Sequence, residues 1–143
     1  MTTTAPRRAL PFARPLLGLL ALLTIAGAAG AQTWDYKAYK KDRYGQYSKD
    51  NFYVATVSIE EKDGAWQFRM IAPQLDACYR NPLPATVVKD ETLTTITVTD
   101  VIAGCEAFRY FIRNDGSGGR KEFLRGGAWV ADGWERGLTP TKK

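Results

Sequence analysis

The chain contains no histidine. Without an imidazole there is no Ser–His–Asp or Cys–His nucleophile arrangement, and no His-ligated zinc, copper or non-haem iron site. Cysteine occurs only at Cys78 and Cys105. Neither Asn51, Asn81 nor Asn114 begins an N-x-[ST] glycosylation acceptor. Asp63, Asp115 and Asp132 each precede a glycine. None belongs to a D-x-[DN]-x-[DN]-G calcium loop, so these pairs read as turn signals. An enzyme built from this chain would depend on carboxylates such as Glu60, Glu61, Asp76, Glu106 and Glu122, or on a Ser–Lys or Tyr-based variant. The expectation is therefore a non-catalytic protein with no cofactor and no metal, and a small carboxylate-only hydrolase is the weaker alternative.

What is present begins with an export signal. Arg7, Arg8 and Arg14 form a positive n-region, Leu16–Ala26 is an apolar stretch of 11 residues, and Ala29–Gly30–Ala31 supplies an A-x-A site before Gln32. The stretch is short of the ~20 residues that span a bilayer. Residues 1–31 are thus expected to be a cleavable signal peptide that leaves no transmembrane anchor, with a periplasmic or secreted destination. Only Leu10 supports reading Arg7–Arg8 as a twin-arginine signal, and the general export route is preferred.

Removing 31 of the 143 residues leaves 112, enough for one domain. The net charge falls from +5 to +2, because three of the 20 basic residues lie in the leader and all 15 acidic ones lie outside it. Nucleic-acid binding loses its electrostatic footprint. In an oxidising compartment Cys78 and Cys105 are expected to pair, stapling a domain too small for a large core.

Hydrophobic periodicity divides the remainder. Tyr36, Tyr39, Tyr44 and Tyr47 recur near helical spacing, with Thr33 or Asp35 as cap and Gly45 as terminator, so 32–50 is expected to be an aromatic, basic segment with a short helix. From residue 51 to 138 the period becomes two. Phe52–Glu61 and Ala65–Ile71 flank Asp63–Gly64, a hairpin signal that pairs Val57 with Met70, Ile59 with Phe68 and Glu61 with Trp66. Further strands are expected at Ala85–Lys89, Thr92–Thr99, Cys105–Arg113, Arg120–Arg125 and Ala128–Ala131. Phe108, Tyr110 and Ile112 then share one face, and Leu124 meets Trp129 across Gly126–Gly127. Residues 139–143 read as a frayed polar tail. The fold class is all-β and mainly antiparallel, a small sandwich or barrel of six to seven strands.

Two groups of residues are candidates for binding. Tyr36, Tyr39, Tyr44 and Tyr47 offer amphipathic contact area among lysines. Arg113, Ser117, Arg120 and Lys121 surround the glycine-rich turn Asn114–Gly119, a flexible basic prong suited to an acidic cleft. A leader, about 110 residues, one disulfide and antiparallel strands is a plan similar to that of periplasmic lysozyme inhibitors, some of which present a Ser–Gly loop to the enzyme. Here Ser117–Gly118 is followed by Gly119–Arg120–Lys121, without the tyrosine expected in such a loop, so no residue roles carry over. The expected function is an exported binding or interaction module of the bacterial cell envelope, with an envelope protein or glycan as partner. The alternative is a periplasmic inhibitor acting through loop 114–119.

Overall fold

Asp63 and Gly64 both have positive φ, 53° and 78°, as a two-residue type I′ hairpin turn demands. They join the second and third of nine strands in the computed structural model, which describes residues 30–41, 43–132 and 136–142. The leader up to Ala29 lies outside the described residues. The strands are β1 (Gln32–Lys41), β2 (Tyr47–Lys62), β3 (Ala65–Ile71), β4 (Leu83–Lys89), β5 (Leu93–Val98), β6 (Phe108–Arg113), β7 (Gly119–Arg125), β8 (Ala128–Ala131) and β9 (Arg136–Pro140). The β2–β3 register matches the alternation: Val57 faces Met70, Ile59 faces Phe68 and Glu61 faces Trp66. A one-residue slip would turn the apolar set to solvent.

Each strand from β1 to β7 pairs antiparallel with the next, and β9 closes the ring by pairing with β1 from Trp34↔Pro140 to Ala38↔Arg136. The result is a closed eight-stranded barrel, with β8 as an additional strand on the edge of β7. Closure covers the edges that β1 and β6 would otherwise expose and leaves the short strand β8 with a free outer edge. β7 meets β9 at Gly119↔Arg136, and at this seam glycine is required. A Cβ on Gly119 would strike the Phe111 carbonyl oxygen and come within 2.9 Å of Leu138 Cδ1; one on Gly118 would lie 2.6 Å from the Arg136 carbonyl oxygen.

Three sequence expectations need correction. None of the described residues in 32–50 is helical: β1 and the start of β2 occupy the segment, with the turn 43–46 between them. Trp34, Tyr36 and Ala38 point inward while Asp35 and Lys37 point out, so a period of two governs residues whose tyrosine spacing imitated a helix. Thr139 and Pro140, read as tail, belong to β9, and the Thr141 amide still donates to the Thr33 carbonyl at 2.9 Å. The strand count is nine rather than six or seven.

The interior is filled. Trp34, Val57, Ile59, Phe68, Ile96, Val98, Phe108, Tyr110, Ile112 and Leu138 are each at most 1% exposed. Phe108 and Tyr110 pack against Phe68 at 5.1 and 5.8 Å between ring centroids. The clefts lie at the ends and on the outside of this core: one beneath the β3–β4 loop, one of about 570 Å3 at the opposite end between Asp90–Leu93 and Arg113–Asp115, and one of about 480 Å3 beside Val54 and Ile71.

Candidate functional site at one end of the barrel

The ends of β1, β3, β5 and β7 and the starts of β2, β4, β6 and β9 gather at one rim. The loop between β3 and β4 folds over it. Its single 3-10 turn, Ala77–Tyr79, is capped by Asp76, whose Oδ1 accepts the Cys78 amide at 2.8 Å. The Cys78–Cys105 disulfide ties this turn to the segment that enters β6, as the sequence led us to expect. The staple thereby sets Tyr79 over the barrel end, edge-on to Phe108 with centroids 5.4 Å apart.

Beneath this turn lies a cleft of about 430 Å3 lined by Tyr36, Ala38, Tyr53, Asp76, Tyr79, Phe123, Arg125, Asp132 and Arg136. Of its four charged residues, Arg136, Asp132 and Arg125 are held in ion pairs, while Asp76 caps the 3-10 turn. Arg136 grips Asp132 through both guanidinium nitrogens, Nη1 donating to Oδ1 at 2.6 Å, while its Nε donates to the Tyr36 hydroxyl at 2.9 Å. Burial is the largest influence on this guanidinium and works against it, but the Asp132 hydrogen bonds together with the Coulombic influence of Tyr36, Tyr110 and Asp132 raise its pKa. Arg125 at the rim pairs with Glu106 through Nε and Nη2 at 2.6 and 2.9 Å.

Lys121 lies behind the cleft wall and is 4% exposed. Its Nζ donates to the Tyr79 hydroxyl at 2.7 Å. Four rings surround it: Phe108, Tyr79, Phe123 and Tyr110, with centroids 4.4, 4.6, 4.6 and 5.1 Å away. Ring faces attract a cation, yet they do not replace water. Burial, followed by the charge of Arg136, brings the amine down to about 7. The same desolvation raises the pKa values of Tyr36, Tyr79 and Tyr110. Tyr110 is fully buried, and its hydroxyl makes no hydrogen bond of normal geometry among the described residues.

The residues singled out from sequence scatter. Tyr36 enters the cleft. Tyr39 faces outward against Phe52, 6.1 Å between centroids, with Lys37 Nζ 5.2 Å from the Phe52 ring. Tyr44 is exposed in the β1–β2 turn, 4.8 Å from the Arg43 guanidinium, and the side chain of Tyr47 lies outside the described residues. The prong 114–119 sits at the other end of β6 and β7, and its polar groups are used locally. Arg113 Nε donates to Ser117 Oγ at 2.7 Å, Asp115 Oδ1 accepts the Ser117 amide at 2.8 Å, and Asn114 Nδ2 donates to the Asp90 carbonyl at 2.9 Å. Gly118 is buried at the seam. Arg120 lies outside the barrel, its guanidinium 4.1 Å from the Phe111 ring. Lys121 does not stand on the prong at all; it turns inward.

Sequence reasoning missed Tyr53, Tyr79, Asp132 and Arg136 as parts of a site. A signal existed for Lys121: Phe123 is two residues on, and residues i and i+2 of a strand share a face. Of the acids named for hydrolysis, Glu122 pairs with Arg109 at 2.6 Å and Glu106 with Arg125, and Asp76 alone lines the cleft. The chain matches no protein-family profile, no curated protein and no solved structure, so its own geometry carries the functional reading.

Proposed function

We propose that this is an exported, non-catalytic binding protein of the cell envelope that takes a small organic ligand in the cleft beneath Tyr79. The observation that carries the reading is the lining itself: Tyr36, Tyr53, Tyr79 and Phe123 are aromatic walls, while Asp132, Arg125 and Arg136 place paired charges among them and Asp76 adds a carboxylate. Mouths of small barrels are common ligand sites, and a few convergent polar groups in an aromatic lining give orientation as well as contact. This chemistry suits a polar molecule with a flat face, such as a sugar unit of an envelope glycan. The absence of histidine and the pairing of Asp132 with Arg136 both favour holding a ligand over transforming it.

The leader and the disulfide support a periplasmic or secreted location. The test is an amide chemical-shift titration of the full chain with mono- and disaccharide fragments of envelope glycans. Saturable shifts are expected at Tyr36, Tyr53, Tyr79 and Phe123, and Tyr53→Ala should weaken them. Shifts confined to residues 113–119 would instead favour the inhibitor reading, and turnover of a fragment would remove the non-catalytic one.

A further inference from the structure

We propose that the ligand held beneath Tyr79 is a cation, its ammonium group seated among Tyr36, Tyr53, Tyr79 and Phe123 with the Asp76 carboxylate as counter-charge. This names the ligand class for the same cleft and rests on the binding reading. The two arginines of the lining are already engaged. Arg136 holds Asp132 through two guanidinium nitrogens and gives its Nε to Tyr36, and Arg125 holds Glu106 through Nε and Nη2. A carboxylate or phosphate ligand would have to displace one of those acids before either guanidinium could grip it in the same way. Lys121, 4% exposed behind the wall, gives its Nζ to the Tyr79 hydroxyl. Asp76 is different. Its Oδ1 caps the Cys78 amide at 2.8 Å, yet its exposed carboxylate makes no ion pair among the described residues. With Arg136 set against Asp132 and Arg125 against Glu106, it is the charge of the lining left without an opposite.

The walls suit a positive charge. Each tyrosine hydroxyl has a protein partner: Tyr36 accepts from Arg136 at 2.9 Å, Tyr79 accepts from Lys121 at 2.7 Å, and Tyr53 donates to the Gln74 carbonyl at 2.7 Å. What these side chains keep for a ligand is chiefly ring surface, and aromatic rings attract an ammonium group, more strongly as water is excluded. Tyr36 and Tyr53 stand at 77° with centroids 6.3 Å apart, so two of the walls form a corner. The bond to Gln74 ties Tyr53 to the β3–β4 loop two residues before Asp76, and the Tyr79 amide donates to the Asp76 carbonyl at 3.0 Å. Carboxylate and rings are thus fixed to one another. About 430 Å3 accommodates an amino-sugar ring or a trimethylammonium group. The ammonium group is the chemistry shared by amino-sugar units of glycans and by choline-type headgroups and solutes.

The test is an amide chemical-shift titration of the full chain at pH 7 with glucosamine, glucose and glucuronate, which share a ring and differ in charge. Glucosamine is expected to bind at least about tenfold more tightly than glucose, and glucuronate more weakly than either. Choline and dimethylbutanol, its neutral carbon isostere, are titrated in parallel. A preference confined to glucosamine marks a glycan as the source, and one confined to choline marks a headgroup or solute. Asp76→Asn keeps an oxygen for the Cys78 amide and removes the charge, so the preference should fall to within about twofold. Tyr53→Leu, which removes a wall without touching that cap, should lower it severalfold. If neither cation outbinds its neutral counterpart, or if glucuronate outbinds glucosamine, the cation inference falls. The binding reading then survives where the neutral compounds still shift Tyr36, Tyr53, Tyr79 and Phe123. A preference that persists unchanged in either variant also overturns the inference. If none of these compounds shifts a cleft residue, both fall.

Discussion

Lys121 makes the stability of the barrel rise with pH through the neutral range. Folding lowers this amine from 10.5 to about 7, chiefly through burial. Between those values the unfolded chain holds a proton that the folded chain has released, so stability rises with pH across that window. Below about pH 7 both states are protonated and the burial penalty is carried in full. With one proton at stake and ~1.4 kcal/mol per unit, the gain from pH 6.5 to 9.5 is about 3 kcal/mol. A urea titration should read this as a midpoint shift of roughly 2 M for a domain of this size. Other shifted groups lie outside the window. Asp90, Glu106 and Asp115 have lowered pKa values and titrate in acid. Tyr36, Tyr53, Tyr79 and Tyr110 have raised ones, so their stabilisation is present below about pH 10 and lost above it. Lys121→Met fills the same volume without a charge; it should be more stable than the wild type at pH 6.5 and lose the rise. A flat wild-type profile, or an equal rise in Lys121→Met, would refute the assignment.

Reduction of Cys78–Cys105, which closes 27 residues of sequence separation, should lower stability by about 3 kcal/mol on the loop-entropy account. That is a melting-temperature drop on the order of 10 °C or more by calorimetry. Gly119→Ala should cost about 1–3 kcal/mol in urea unfolding, because its methyl group would press on the Phe111 carbonyl oxygen and Leu138. Gly137→Ala, whose nearest neighbour would be Lys37 Cβ at 3.8 Å, should be close to neutral by the same assay.

The legible parts of the sequence were those where alternation and turn chemistry agreed. Asp63–Gly64 fixed a register that seven residue pairs follow, and Phe108, Tyr110 and Ile112 showed their shared face by spacing alone. Gly126–Gly127 likewise placed Leu124 opposite Trp129. Trp129 nonetheless packs outside, its ring 4.5 Å from the Arg109 guanidinium, because the inward face of β7 belongs to Lys121 and Phe123. β1 was hidden by tyrosines on both faces, Tyr36 inward and Tyr39 outward, which blurred a period of two. β9 was hidden because one of its two buried residues is an arginine, Arg136, acceptable inside only with Asp132 and Tyr36 beside it. The cleft was illegible for the same reason. Its walls come from β1, β2, β7, β9 and the 3-10 turn, brought together by barrel closure, and no local pattern encodes that.

The seam between β1 and β9 also bears on how the molecule folds. The hydrogen bond from Arg136 to Tyr36 spans 100 residues of sequence. Pairings so distant are late and slow, because the loop they close must be ordered before they add stability. Until β9 arrives, one edge of β1 exposes unpaired backbone groups capable of recruiting another chain. The pairing of β9 from Trp34↔Pro140 to Ala38↔Arg136 is what withdraws that edge from other copies of the chain.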